Sequence, residues 1–284
     1  MPGLIHIAPL RIADIEAAFQ LGFLEGWNQT RSDWVRLLTH QPKGCFGAYS
    51  QDRLVGTVTT SIYGREVAWL GMMLVQREYR RLGIGRELMF TALEYARAEA
   101  STIKLDATPA GRRLYEALGF VPEAGIERWE RRGTTPELGV ESITAAKNMI
   151  SEICELDRLA FGADRITMLD SLSQQSCAHP LVMRHPEGSA SGYAMARFGS
   201  RAMYIGPIVS VDPARIPALV NHMFEQLAGR AIFVDFYRGC AADSKLLSDG
   251  GFAKQRDLTR MYWGKPSCAG LSPSVFSIAG PEIG

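Results

Sequence analysis

Met72-Met73-Leu74-Val75-Gln76-Arg77-Glu78-Tyr79-Arg80-Arg81-Leu82-Gly83-Ile84-Gly85-Arg86 carries an apolar run into a basic, glycine-containing turn and then into a helical pattern. Amides in the first turn of a helix lack internal acceptors, and the helix dipole adds partial positive charge at the same end. A phosphate suits such a place. Gly83 and Gly85 let backbone approach a pyrophosphate closely because no Cβ intervenes. Arg80, Arg81 and Arg86 add guanidinium donors. The plainer reading is a strand-to-helix turn with surface arginines. A dinucleotide loop fits less well, because Gly83-Ile84-Gly85 lacks the third glycine and no repeated βαβ array surrounds it. A Walker loop is excluded by the absence of Gly-Lys-Ser/Thr.

Working outward, residues 4–8 read as a strand and 12–21 as a helix. Asp33 is the expected N-cap of a second helix, with Trp34, Leu37 and Leu38 at helical spacing. Residues 45–49 and 54–62 read as strands joined by Ser50-Gln51-Asp52-Arg53, and 67–75 as the next. A helix is expected over 84–98 and a strand over 102–107. A further helix is capped by Thr108, opened by Pro109 and stopped by Gly119. The polar stretch Arg131-Arg132-Gly133-Thr134-Thr135-Pro136 reads as a linker.

Beyond it the same order returns. Gly192 lies 136 positions after Gly56, and Ile205-Gly206 lies 135 after Leu70-Gly71. Asp235 lies 129 after Asp106, and Gly251-Phe252 lies 132 after Gly119-Phe120. Near-constant offsets point to a duplicated domain, with halves over residues 1–133 and 137–284. The drop in offset falls at the basic loop. There the second half has Pro207 and Pro213 and no glycine pair, and Leu247 stands where the first half has Tyr115.

Arg80-Arg81-Leu82-Gly83-Ile84-Gly85 resembles the Q/R-x-x-G-x-G/A signature of the GNAT superfamily of N-acetyltransferases. Leu114-Tyr115-Glu116-Ala117-Leu118-Gly119-Phe120 resembles that superfamily's L-Y-E-x-x-G-F segment. These motifs carry the resemblance over residues 4–132, and only internal similarity extends it further. The whole chain resembles tandem GNAT proteins with a divergent second domain. The resemblance implies an α/β (α+β) architecture of two GNAT-like domains, each a mixed, mostly antiparallel sheet flanked by helices.

It also implies roles. Acetyl-CoA, as acyl donor, would lie where the strand before the loop splays from its neighbour. Met73, Leu74 and Val75 would offer backbone to the pantetheine arm, with the Leu74 amide polarising the thioester carbonyl. Arg80, Arg81, Leu82, Gly83, Ile84, Gly85 and Arg86 would hold the pyrophosphate. Thr108 falls where many relatives have a cofactor-binding asparagine, although helix capping alone explains it. Arg112 and Arg113 read as solvated surface charge.

Tyr115 matches the tyrosine that protonates the departing thiolate; its plainer role is packing. A phenol with pKa near 10 keeps its proton at neutral pH. Asp106 is either the base that deprotonates the acceptor or a structural carboxylate, and its counterpart Asp235 favours structure. Glu25, Trp27, Asp33 and Trp34 fall in the acceptor region, where carboxylates and indole faces suit a cationic amine. Both tryptophans equally suit a core or cleft wall. The second half would lack productive CoA binding, and residues 276–282 would pack, as an added strand for example.

Composition narrows the field. The 284 residues are 46% hydrophobic and 21% charged with net charge +1, ordinary for a globular chain and without a field favouring nucleic acid or a membrane. Five dispersed cysteines form no C-x-x-C pair and five histidines no metal-spaced cluster, so no metal is expected. No secretory pattern opens the sequence, and a cytoplasmic location is expected. The expected activity is acetyl transfer to a primary amine by direct attack in a ternary complex. A non-catalytic acyl-CoA sensor or scaffold is the alternative, and a pure interaction module fits the motifs least. A small-molecule acceptor is expected, with its identity, the acyl length and a homodimer left open.

Overall fold

A computed structural model describes residues 4–134 and 149–284. The first half runs β1 (Ile5–Pro9), α1 (Ile15–Leu24), α2 (Arg31–His40), β2 (Phe46–Ser50), β3 (Arg53–Tyr63), β4 (Val67–Val75), α3 (Ile84–Glu99), β5 (Thr102–Ala107), α4 (Pro109–Ala117) and β6 (Val121–Arg131). The second runs α5 (Met149–Phe161), α6 (Ile166–Ser173), β7 (Leu181–Arg184), β8 (Ala190–Arg197), β9 (Met203–Ser210), α7 (Ile216–Gln226), β10 (Ile232–Tyr237), α8 (Lys245–Asp249), β11 (Ala253–Gly264) and β12 (Val275–Ser277). The boundary expected at residue 137, and Thr135 and Pro136 of the expected linker, lie outside the described residues.

One expected detail changes. Thr30, not Asp33, is the N-cap of α2. Thr30 is extended and its hydroxyl accepts from the Asp33 amide at 3.2 Å, while the Asp33 carboxylate accepts from the Thr30 amide at 2.7 Å. That reciprocal capping box satisfies two amides that the helix itself leaves bare.

The sheet is mixed, mostly antiparallel and flanked by helices, and it is continuous across both halves. Its order is β1-β2-β3-β4-β5-β11-β6-β10-β12-β9-β8-β7. The final long strands are thus exchanged: β11 of the second half lies against β5 of the first, and β6 of the first lies against β10 of the second. Side chains alternate between faces along each strand. On β4, Val67 and Trp69 enter a core that draws on α1, α2, α5 and α6, so both halves share it. Ala68 and Leu70 face the other way, into a core built with α3 and belonging to the first half. A separate cluster with α7 serves the second half.

The duplication is visible atom by atom. A Cβ on Gly56 would meet the Leu74 carbonyl and a Leu88 methyl at 3.0 Å; on Gly192 it would meet the Val209 carbonyl at 3.0 Å and a Leu219 methyl at 3.2 Å. Asp106 on β5 is opposite Arg260 on β11, and Asp235 on β10 is opposite Arg128 on β6. Both pairs are buried and bidentate, at 2.8 and 2.8 Å for the first and 2.8 and 2.6 Å for the second. Each ion pair therefore bolts one half to the strand supplied by the other.

The halves differ at the splay. β9 and β10 pair in parallel only at Met203–Ile205 against Ile232–Val234. Where they diverge, β12 enters and pairs antiparallel with both. The chain then continues over β4: a Cβ on Gly206 would strike the Ile278 carbonyl, and one on Gly71 would lie 2.6 Å from the Glu282 carbonyl oxygen. These matched glycines leave room for one segment crossing both halves.

Candidate active site

In the first half β4 and β5 also pair only briefly, Val67–Trp69 against Thr102–Lys104, and among the described residues no strand enters beyond. The register between β3 and β4 slips between Thr57 and Thr59. Met72 sits there at φ 50°, its carbonyl accepting from the Thr57 hydroxyl at 2.7 Å. A bulge of this kind bends its strand and re-aims the residues beyond it. Among the described residues, backbone groups on the β5 side of β4 beyond Trp69 are left without a sheet partner. A cavity of about 500 Å³ opens at this place, lined by β4 from Leu70 to Val75 and by Tyr79, Arg80, Arg81 and Gly85.

At the loop, Arg81 (φ 64°) and Gly83 (φ 84°) both take left-handed conformations before α3 begins. Among the described residues, nothing beyond its chain neighbours lies within 4 Å of where a Gly83 Cβ would be. The first helical amides with acceptors are Arg86 and Glu87, both bonded to the Gly83 carbonyl. Among the described residues Gly83, Ile84 and Gly85 donate to no backbone acceptor. Open space, bare amides and a helix N-terminus are what a pyrophosphate requires. The residues present fit acetyl-CoA.

The arginines divide. Arg81 and Arg86 project from the loop as exposed groups. Arg80 is already engaged, its Nε on the Val75 carbonyl at 2.8 Å and its terminal nitrogen 2.9 Å from Glu25. Leu82 is exposed and the Ile84 side chain is buried in the core, so these two can contribute through backbone alone. Thr108 caps α4, accepting from the Gly111 amide at 3.2 Å, and also lines the cavity. Arg112 is paired with Glu116 on the surface at 2.7 Å, and Arg113 is exposed.

Tyr115 lines the cavity with its ring edge-on to Phe120 at 6.1 Å between centroids. No hydrogen bond to its hydroxyl is present among the described residues. Burial pushes the phenol up to about 12.

The carboxylates sort by partner. Glu25 reaches the cavity but bridges Arg77 at 2.7 Å and Arg80 at 2.9 Å, and Arg77 above all holds it below the usual carboxylate range. Asp106 reaches it too, with both oxygens committed to Arg260. Asp33 does not reach it. It is buried, closes the capping box begun by Thr30, and lies 2.5 Å from Arg36 and 3.6 Å from Arg197. Trp27 lines the cavity against Gly22, whereas Trp34 is a core residue.

Four wall residues carry no local sequence signal: Arg128, Arg256, Leu258 and Glu282. Arg256 and Leu258 arrive on β11 through the strand exchange, and Arg128 stands beside them on β6. Glu282 arrives on the segment crossing Gly71, accepting from Gln29 at 2.9 Å and Arg197 at 2.8 Å. Its burial raises the carboxyl above its ordinary value despite Arg197. The segment is fixed by Tyr63 donating to the Ile283 carbonyl at 2.9 Å and Trp69 to the Pro281 carbonyl at 3.0 Å. Among the described residues no group of three metal-binding side chains occurs and no helix is long and apolar enough to cross a membrane.

Comparison with known proteins fits this geometry. The Acetyltransferase (GNAT) family matches residues 11–120, and an Acetyltransferase (GNAT) domain matches residues 153–277. The chain belongs to the GNAT family. It carries two GNAT domains in tandem, and the family is one of acyl-CoA-dependent N-acyltransferases. A putative acetyltransferase from Pyrococcus horikoshii superposes with a TM-score of 0.80 at 26% identity, covering 99% of this chain and 96% of that one. The uncharacterized N-acetyltransferase YitH of Bacillus subtilis is 26% identical over 190 residues, 65% of this chain and just under two thirds (66%) of that protein. The holothin acyltransferase of a Pseudoalteromonas species is 24% identical over 281 residues, 97% of this chain and 93% of that protein. The exchanged strands and the filled second splay thus belong to a tandem GNAT chain in which the splay of the first half stays open.

Proposed function

We propose that this protein transfers an acetyl group from acetyl-CoA to a primary amine of a small molecule, in a ternary complex and at the first-half cleft alone. The observation that carries the proposal is the contrast between the two splays: open with bare helix amides at β4/β5, filled by β12 at β9/β10. Acetyl-CoA supplies a thioester whose carbonyl carbon accepts the amine as CoA leaves. The amides of Gly83, Ile84 and Gly85, with Arg81 and Arg86, hold the pyrophosphate end. Backbone of Met73, Leu74 and Val75 receives the pantetheine arm, and the Leu74 amide faces the thioester oxygen.

Tyr115 is the proton donor to the leaving sulfur, since its raised pKa keeps the phenol protonated through the working range. The proton acceptor is Glu282. Asp106 is neutralised by Arg260 in the same way as Asp235 is by Arg128, in a half with a filled splay. Glu25 is held too acidic. A base gains proton affinity when its pKa is raised toward the working pH, which favours Glu282. Around it lie Arg197, Asp33 and Gln29, with Arg36 beyond.

The test is CoA-thiol release from acetyl-CoA across an amine panel, with Glu282→Gln alongside. In the native protein kcat/KM should fall with two-proton steepness on the acid side, one proton from the amine and one from a carboxylate titrating above its ordinary range. Glu282→Gln should lower kcat about 10²-fold or more and leave one-proton steepness. An unaltered acid limb in that variant would remove Glu282 from the chemistry.

A further inference from the structure

We infer that the acceptor carries a carboxylate as well as its reacting amine, and that Arg256 receives that carboxylate on the strand contributed by the second half. This deepens the proposed function and rests on it. Arg256 stands on β11 directly opposite Arg128 on β6, just past a register slip after Lys254. Like charges facing each other across a strand pair destabilise it. Asp235 hydrogen-bonds only one of them: both its oxygens are held by Arg128, and Tyr204 donates to one as well at 3.1 Å, so Arg256 feels the charge of Asp235 without a bond to it. The Nε of Arg256 is buried without a hydrogen-bond partner. No ion pair to its guanidinium is present among the described residues.

The rest of the wall cannot supply a counterion. Glu25 is taken by Arg77 and Arg80, Asp106 by Arg260 and Glu282 by Arg197. Burial, and then the charge of Arg128, pull the guanidinium down to about 10. The arrangement therefore holds, among the described residues, one guanidinium without a hydrogen-bonded counterion where the acceptor must sit. Arg81, the other wall arginine without a carboxylate partner among the described residues, belongs to the glycine loop at the far end of β4.

Direction and reach agree. Residues two apart on a strand share a face, and Arg256 and Leu258 both line the cavity. β11 lies two strands from β4, roughly 10 Å at ordinary strand spacing. A guanidinium reaching inward from β11 spans part of that distance, which leaves room for a molecule the size of an amino acid. The planar fork of Arg matches a carboxylate through two parallel hydrogen bonds. An amino acid or similarly small amino-carboxylate is the class that fits.

The test pairs each of a set of amino acids with its decarboxylated amine in the thiol-release assay. Native protein, Arg256→Gln and Arg256→Lys are compared, and acetyl-CoA affinity is measured calorimetrically for all three. Native protein should favour the carboxylate-bearing member by at least 10-fold in kcat/KM. Arg256→Gln should erase that preference, chiefly through KM, and Arg256→Lys should restore part of it. Both variants should bind acetyl-CoA within about two-fold of native and melt no lower, since a repulsion has been removed or kept. Preference for decarboxylated amines, turnover of none of the amino-carboxylates by protein that binds acetyl-CoA, or a 10-fold loss of acetyl-CoA affinity in Arg256→Gln would each overturn the inference. Failure of native protein to bind acetyl-CoA would bring down the proposed function itself, and shows separately in the calorimetry.

Discussion

Tyr115→Phe should lower kcat by about 10²–10⁴-fold, the range for loss of a positioned general acid, while acetyl-CoA binds as tightly as before. Only an oxygen is removed, and no hydrogen bond to it exists among the described residues. The ring would keep its edge-on contact with Phe120, so the melting temperature should scarcely move. Because burial lifts the phenol to about 12, native activity should show no alkaline fall from this group below roughly pH 11, one unit under that value. The measurement is single-turnover acetyl transfer beside calorimetric affinity. An unchanged kcat would return Tyr115 to packing and leave protonation of the thiolate to solvent, whereas no transfer at all by native protein that binds acetyl-CoA would favour an acyl-CoA sensor.

Asp106→Asn and Asp235→Asn should each destabilise the fold by about 3–5 kcal/mol, the cost of stranding one partner of a buried ion pair. The two costs should be similar, because both aspartates hold the exchanged strand of the opposite half with the same bidentate geometry. Replacing Asp106 and Arg260 together by Leu and Met should recover most of the loss, since the second charge no longer lies buried alone. Denaturant unfolding of the four proteins measures this. If Asp106→Asn instead kept full stability and lost turnover, the carboxylate would be the base and Glu282 would not.

The parts of the molecule legible in the sequence are those whose chemistry is contiguous. The strand, basic loop and helix around Gly83 and Gly85, and the Thr108-Pro109 start of α4, depend on neighbours within a few positions. The duplication was legible for a related reason: Gly56 and Gly192 meet the same backbone and leucine neighbours, so both had to remain glycine. The strand exchange had no such signal. β6 and β11 are repeats of one another, each can edge either half, and nothing local to Arg128 or Arg260 says which aspartate it will face. Glu282 was hidden likewise, 211 positions from the glycine whose backbone it covers. Asp33 shows a milder failure, since a threonine three residues earlier turned the expected cap into the third position of a capping box.

One open splay should make one cofactor site. Calorimetric titration of the whole chain with acetyl-CoA, run beside Gly85→Glu, tests it most directly. A Gly85 side chain would meet the Met73 methyl at 2.8 Å and place a carboxylate among the bare amides meant for phosphate. Native protein should bind one equivalent per chain, and Gly85→Glu should bind at least 100-fold more weakly. Two equivalents, no binding by native protein, or undiminished binding by the variant would contradict it.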